Sequence, residues 1–175
     1  MKHGFIKTAA VTPDIRVADV AYNTESIIKN IDEAKEAGAR IIVFPELCIT
    51  GYTCGDLFTQ EILLTDARKA LHRIAAHTKE MDALVFVGVP LAIEGELYNV
   101  AAALHRGEIL GLITKTFLPN YGEFYEMRQF RQGPEQARFL MFDGQWLPFG
   151  PQLLFAEEHL DALVVSAEIC EDVWS

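Results

Sequence analysis

"ARIIVFPE", residues 39–46, decides the fold class. From Ile41 to Phe44 the run is unbroken and apolar. A strand without polar alternation is one buried on both faces, the pattern of a parallel sheet layered with helices. Pro45 biases Phe44 toward an extended backbone, so the run ends on a stiff support, at the carboxylate of Glu46. Just upstream, "NTESIIKNIDEAKEAG" (23–38) puts Ile27, Ile31 and Ala34 on one helical face, with Asn23 as a candidate cap and Gly38 where a helix stops. "GFIKTAAV" (4–11) reads as an earlier strand, ended by Thr12-Pro13-Asp14. The chain therefore opens as strand, helix and buried strand.

Downstream, residues 47–55 are loop-like and 56–80 are helical, with Leu71, Ile74, Ala75 and Thr78 at helical spacing. "ALVFVGVP" (83–90) is another buried strand. "ELYNVAAAL" (96–104) and "EILGLITK" (108–115) flank His105-Arg106-Gly107, which predicts a hairpin. Residues 116–137 have no clear period and are rich in aromatics, charges, Gly and Pro. Long loops of this kind in compact domains are often functional. "RFLMF", "QLLFA" and "DALVVSAEI" predict later strands, with Asp143-Gly144 as a turn. The order βαβαββ, loop, βββ is a mixed α/β class with helices outside extended sheets.

The bulk numbers agree with a globular protein. The 175 residues suit one domain, and half of them are apolar. The formal net charge is −10 with no Lys/Arg cluster, which speaks against a nucleic-acid partner. No apolar run approaches the length needed to cross a bilayer. Cys48, Cys54 and Cys170 form no CxxC pair, and the five histidines make no ligand spacing, so neither a disulfide framework nor a metal site is indicated. A reducing, cytoplasmic setting is expected. No glycine-rich phosphate loop follows the first strand.

Glu46, Lys115 and Cys170 each stand just beyond a strand-like run. Side chains at strand ends in α/β sheets reach from a rigid support into a crevice. Each has a plain alternative: Glu46 as the first solvated residue of a loop, Lys115 as a surface lysine, Cys170 as an inert buried thiol. Together they suit attack on an amide or nitrile carbon. The thiolate is the nucleophile, a nearby ammonium lowers its pKa and stabilises the oxyanion, and a carboxylate moves the proton and activates water. No histidine is needed. Glu168, Glu171 and Asp172 beside Cys170 oppose thiolate formation, so its activation must come from elsewhere in the sequence.

"FPELCITGY" (44–52), "KTFLPNYGEFYEMRQF" (115–130) and "EICEDVW" (168–174) together resemble the carbon–nitrogen hydrolase (nitrilase) superfamily. Within it they are similar to the N-terminal glutaminase domains of glutamine-dependent NAD+ synthetases. The resemblance implies a nitrilase-like α-β-β-α sandwich, with Glu46 as general base, Lys115 as oxyanion-stabilising lysine and Cys170 as nucleophile. It also implies a second catalytic glutamate at Glu123, eight residues past the lysine, beside the base. Tyr121 resembles a glutamine contact, and Glu171 is a plausible partner for the substrate ammonium, its backbone N–H a natural oxyanion donor. Tyr52 lines the same pocket or simply packs. Tyr98-Asn99 also resembles the superfamily, with Asn99 read as structural.

The resemblance implies hydrolysis of the L-glutamine amide through a glutamyl thioester. The ammonia would feed amidation of deamido-NAD+ by a C-terminal synthetase domain that uses ATP and Mg2+, in a homo-oligomeric enzyme. No cofactor is expected in this segment itself. Two alternatives stay open: a free-standing amidase or carbamoylase acting on another small amide, and a non-catalytic scaffold with a vestigial triplet. The family's sandwich needs considerably more sequence after the nucleophile. Residues 1–175 are therefore expected to be the N-terminal portion of such a domain, incomplete, with apolar faces and strand edges left exposed.

Overall fold

The computed structural model describes residues 4–160 and 162–174. Asp161, at the start of the last expected strand, lies outside them, as do residues 1–3 and Ser175. The first strand, β1 (Thr8–Ala10), leads to helix α1 (Val20–Glu36) and strand β2 (Ile41–Val43). The helix starts earlier than Asn23: its cap is Asp19, whose carboxylate accepts the Tyr22 N–H at 3.0 Å. Asn23 is instead buried within the helix, bonded to both backbone groups of Arg16 and to the Ile49 carbonyl. It ties the loop after β1 to the loop after β2.

The second expected helix is three pieces. A 3-10 segment, Tyr52–Thr59, is kinked at Gly55. Helix α2 (Glu61–His77) follows, and then a 3-10 turn, Thr78–Glu80. Next come three antiparallel neighbours, β3 (Leu84–Ile93), β4 (Glu96–His105) and β5 (Glu108–Thr114). The hairpin predicted around Arg106-Gly107 is β4–β5. Beyond the long loop lie β6 (Arg138–Phe142) and β7 (Gln145–Gly150), joined at Asp143-Gly144. The expected "QLLFA" strand shortens to β8 (Phe155–Ala156), and "DALVVSAEI" to β9 (Val164–Val165).

The strands make a seven-stranded sheet ordered β1-β2-β3-β4-β5-β7-β6 and a separate pair, β8-β9. Pairing is parallel for β1-β2, β2-β3 and β5-β7 and antiparallel elsewhere. The apolar faces of α1 (Ile27, Ile31, Ala34) and α2 (Ala67, Leu71, Ile74) share one core with Ile42, Val85, Val87, Leu104, Leu112 and Phe149. Alternate residues point the other way. Phe86, Ala103 and Ile113 form a second cluster, covered by Leu153, Phe155 and Val165. The small β8-β9 sheet thus lies on the face opposite the helices. No described helix is long and apolar enough to cross a membrane.

Candidate active site

Glu46 sits three residues past β2, in a turn closed by Cys48 N–H to Pro45 O and Gly51 N–H to Leu47 O. Leu47 takes a left-handed φ of 52°. Lys115 directly follows β5. Its own N–H bonds the Asn99 carbonyl on β4 at 2.9 Å, and its carbonyl accepts the Gly133 N–H at 2.9 Å. Both backbone groups are fixed, and the side chain has no exposed surface. A buried ammonium without partners is costly. Here Nζ donates to Glu46 Oε1 and to Glu126 Oε1, each at 2.7 Å.

Glu126 is 4% exposed and occupies the position expected of Glu123. Glu123 itself is exposed in the loop. The chain puts Glu126 there through a 3-10 turn, Glu126–Arg128, whose first N–H bonds the Pro119 carbonyl. Tyr52 adds its hydroxyl to the same Glu126 oxygen at 2.7 Å, so it is neither simple packing nor a bare pocket wall. Asn99 donates Nδ2 to Glu46 Oε1 at 2.5 Å, so its structural part is to help hold that carboxylate in place. The signal for both lay in the motifs already quoted: a buried polar residue inside an apolar strand, and a glutamate eleven residues after the lysine. Spacing alone cannot say which carboxylate turns inward.

Cys170 opens a short 3-10 turn, Cys170–Val173, with the sulfur-bearing residue at a left-handed φ of 51°. Four residues separate it from β9, and β9 belongs to the small sheet. Its expected place just beyond a buried strand is therefore corrected. Cys170 is exposed, whereas Cys48 and Cys54 are buried. Burial of the thiol group raises its pKa above the ordinary 9.0; Lys115 pulls it down, but Glu46, Glu126 and Glu171 push it up and the net direction is upward. Lys115 was expected to leave a lowered thiol pKa; burial first, and the carboxylates after it, outweigh the ammonium.

Tyr121, which is exposed, donates its hydroxyl to Glu171 Oε2 at 2.9 Å. The bond and its charge raise the phenol pKa. Burial and the Glu126 bond do the same, more strongly, to Tyr52. Both phenols therefore stay protonated donors across the neutral range. Of the residues picked from sequence, the structure brings Glu46, Lys115, Cys170 and, through Glu126, Tyr52 into one electrostatic cluster. Tyr121 and Glu171 pair beside it. Among the described residues, no cluster of three or more His, Cys, Asp or Glu could hold a metal ion.

Residues 7–175 match the carbon-nitrogen hydrolase family. A glutamine-dependent NAD(+) synthetase of Mycobacterium bovis is 36% identical over 99% of this chain and 26% of that protein. One from Aquifex aeolicus is 42% identical over 90% of this chain and 24% of that protein. The crystal structure of a glutamine-dependent NAD(+) synthetase from Cytophaga hutchinsonii superposes with a TM-score of 0.87 at 32% identity, over 95% of this chain and 28% of that one. The chain spans about a quarter of the length of these relatives. With the match running along nearly its whole length, and with a nitrilase-like fold, the chain belongs to the carbon-nitrogen hydrolase family.

Proposed function

We propose that this chain hydrolyses the side-chain amide of L-glutamine, with Cys170 as nucleophile, Glu46 as base and Lys115 as the cation that receives the oxyanion. One observation carries the reading: a fully buried lysine that spends two N–H bonds on Glu46 and Glu126. An ammonium has three N–H donors, so one is left for a substrate oxygen. The relatives' name, glutamine-dependent NAD(+) synthetase, supports glutamine as the substrate.

The steps balance. The Cys170 thiol adds to the amide carbon as its proton passes to Glu46, and the oxyanion forms beside Lys115. Glu46 returns the proton to the departing nitrogen, the C–N bond breaks, and ammonia leaves a glutamyl thioester. Water then loses a proton to Glu46 and adds to the same carbon. The C–S bond breaks, and the proton held by Glu46 restores the thiol as glutamate departs. Tyr121 and Glu171 form the rim that takes the substrate ammonium, with the Tyr121 bond yielding to it. Within a full-length NAD+ synthetase the ammonia would serve ATP-dependent amidation of deamido-NAD+ by a second domain.

The test uses the full-length protein. Cys170→Ala and Glu46→Ala should each abolish glutamine hydrolysis, and near-normal turnover by either would sink the assignment. Faster wild-type hydrolysis of simple aliphatic amides than of L-glutamine would favour a free-standing amidase instead.

A further inference from the structure

Asp172 has no part in the steps above, although it stands two residues from the nucleophile. Its Oδ1 accepts the backbone N–H of Thr116 at 3.0 Å and of Phe117 at 2.7 Å. These two residues directly follow Lys115. The N–H of Asp172 in turn bonds the Ile169 carbonyl at 3.1 Å, which closes the turn that holds Cys170 in its left-handed conformation. One residue thus joins the turn carrying the sulfur to the strand end carrying the ammonium. The Tyr121–Glu171 bond also links that turn to the long loop, but further along it and at the exposed rim.

An additional anion beside this cysteine is unfavourable for thiolate formation, and three carboxylates already oppose it. What Asp172 contributes must therefore come from its bonds. Thr116 and Phe117 lie past the end of β5, where the ladder no longer supplies acceptors. A carboxylate oxygen between two N–H groups makes charge-assisted bonds, stronger than those of a neutral acceptor. On its other side Lys115 is already held by Asn99 and Gly133.

We propose that Asp172 is a positioning residue: a strut that sets the distance between the Cys170 sulfur and the Lys115 ammonium. The proposal rests on the reading of Cys170 and Lys115 given above. Three measurements on the full-length enzyme test it, in Asp172→Ala and Asp172→Asn: kcat and KM for glutamine, and the pH dependence of Cys170 alkylation by iodoacetamide, read by peptide mass. The charged groups acting on the sulfur are Lys115, Glu46, Glu126 and Glu171.

In Asp172→Ala, kcat should fall by about tenfold to a hundredfold, as for misplacement of a reacting group, with KM little changed. Its alkylation midpoint should move to higher pH although an anion has been removed, because the ammonium's influence weakens with distance. Asp172→Asn keeps an oxygen between the two N–H groups and should recover most of the kcat, without the upward shift. Wild-type kcat in Asp172→Ala, a midpoint that falls there, or an Asp172→Asn enzyme as impaired as the alanine variant would each overturn the proposal. If the alanine variant does not fold, an Asp172→Asn enzyme that has lost about tenfold or more in kcat overturns the proposal. Glutamine hydrolysis that survives Cys170→Ala would defeat the underlying reading instead, and the alkylation midpoints would still report on the strut.

Discussion

Lys115 carries its charge where water cannot answer it, so its neighbours must. Burial pulls its pKa down, but the bonds to Glu126 and Glu46 outweigh burial and the net direction is above the ordinary 10.5. A raised lysine contributes stability that is fully present below 10.5 and lost as pH rises through the folded value. Glu126 runs the other way. Burial lifts its pKa above 4.5 despite the bonds from Lys115 and Tyr52. The folded protein then binds its proton more tightly than the unfolded chain does, so its contribution worsens as pH rises from 4.5 through the folded value. Lys115→Met would leave Glu126 buried without its cation. Removing one partner of a buried pair costs about 3–5 kcal/mol, and that loss should shrink as the medium is acidified and Glu126 takes up a proton. Urea unfolding of wild type and Lys115→Met between roughly pH 5 and pH 8 measures this, and a deficit independent of pH would contradict it. At this scale the positions of Glu46 and Lys115 were legible because each follows a strand-like run, whereas four residues separate Cys170 from β9. Glu126 was not legible, because the aperiodic loop offers two nearby glutamates and only its tertiary turn decides which one is buried.

Gly88 shows how an element, rather than a side chain, seats the Glu46 carboxylate. It lies mid-strand in β3, and a Cβ there would come 2.2 Å from Leu47 N, 2.5 Å from Pro45 O and 2.7 Å from the Glu46 carbonyl carbon. Its own carbonyl accepts the Ile49 N–H at 3.2 Å. The strand backbone is thus the surface on which the Glu46 turn rests. Gly88→Ala must push that turn away, costing about 1–3 kcal/mol of stability from overpacking. On the role proposed for Glu46, displacing it should reduce glutamine turnover by about a hundredfold. Paired measurements of unfolding midpoint and kcat check this, and an alanine variant with wild-type turnover would show that Glu46 does not depend on the strand for its place. The strand was legible as a buried apolar run, and a glycine inside it signals close approach. Which segment approaches is non-local information that no period encodes. The same limit explains β7: Pro148 argues against a strand, yet parallel pairing to β5 uses only Phe149 and Gly150, just beyond the proline. It also explains the helix cap, where Asn23 had the right chemistry for capping and tertiary bonds claimed it instead.

The whole molecule is unevenly covered. Both long helices lie on one face of the seven-stranded sheet, and the small β8-β9 pair covers part of the other. The sequence could show that its strands were apolar on both sides, but not that β7 would insert between β5 and β6 and make β6 the outer edge. On that edge Leu140 and Phe142 point into the core, while Phe139 and Met141 point out, 68% and 53% exposed. Trp146, opposite Met141, is 63% exposed. An aromatic-rich patch beside an unpaired edge is the combination that drives self-association. The 175-residue chain should therefore show a sedimentation coefficient that rises with concentration. The double substitution Met141→Lys with Trp146→Glu puts opposite charges directly across the hairpin, a favourable cross-strand pair, while leaving only Phe139 of the patch. It should keep the far-ultraviolet circular dichroism of the parent and lower its association. A parent that stays monomeric at every concentration, or a double variant that associates equally well, would mean that this face is not what draws the chains together.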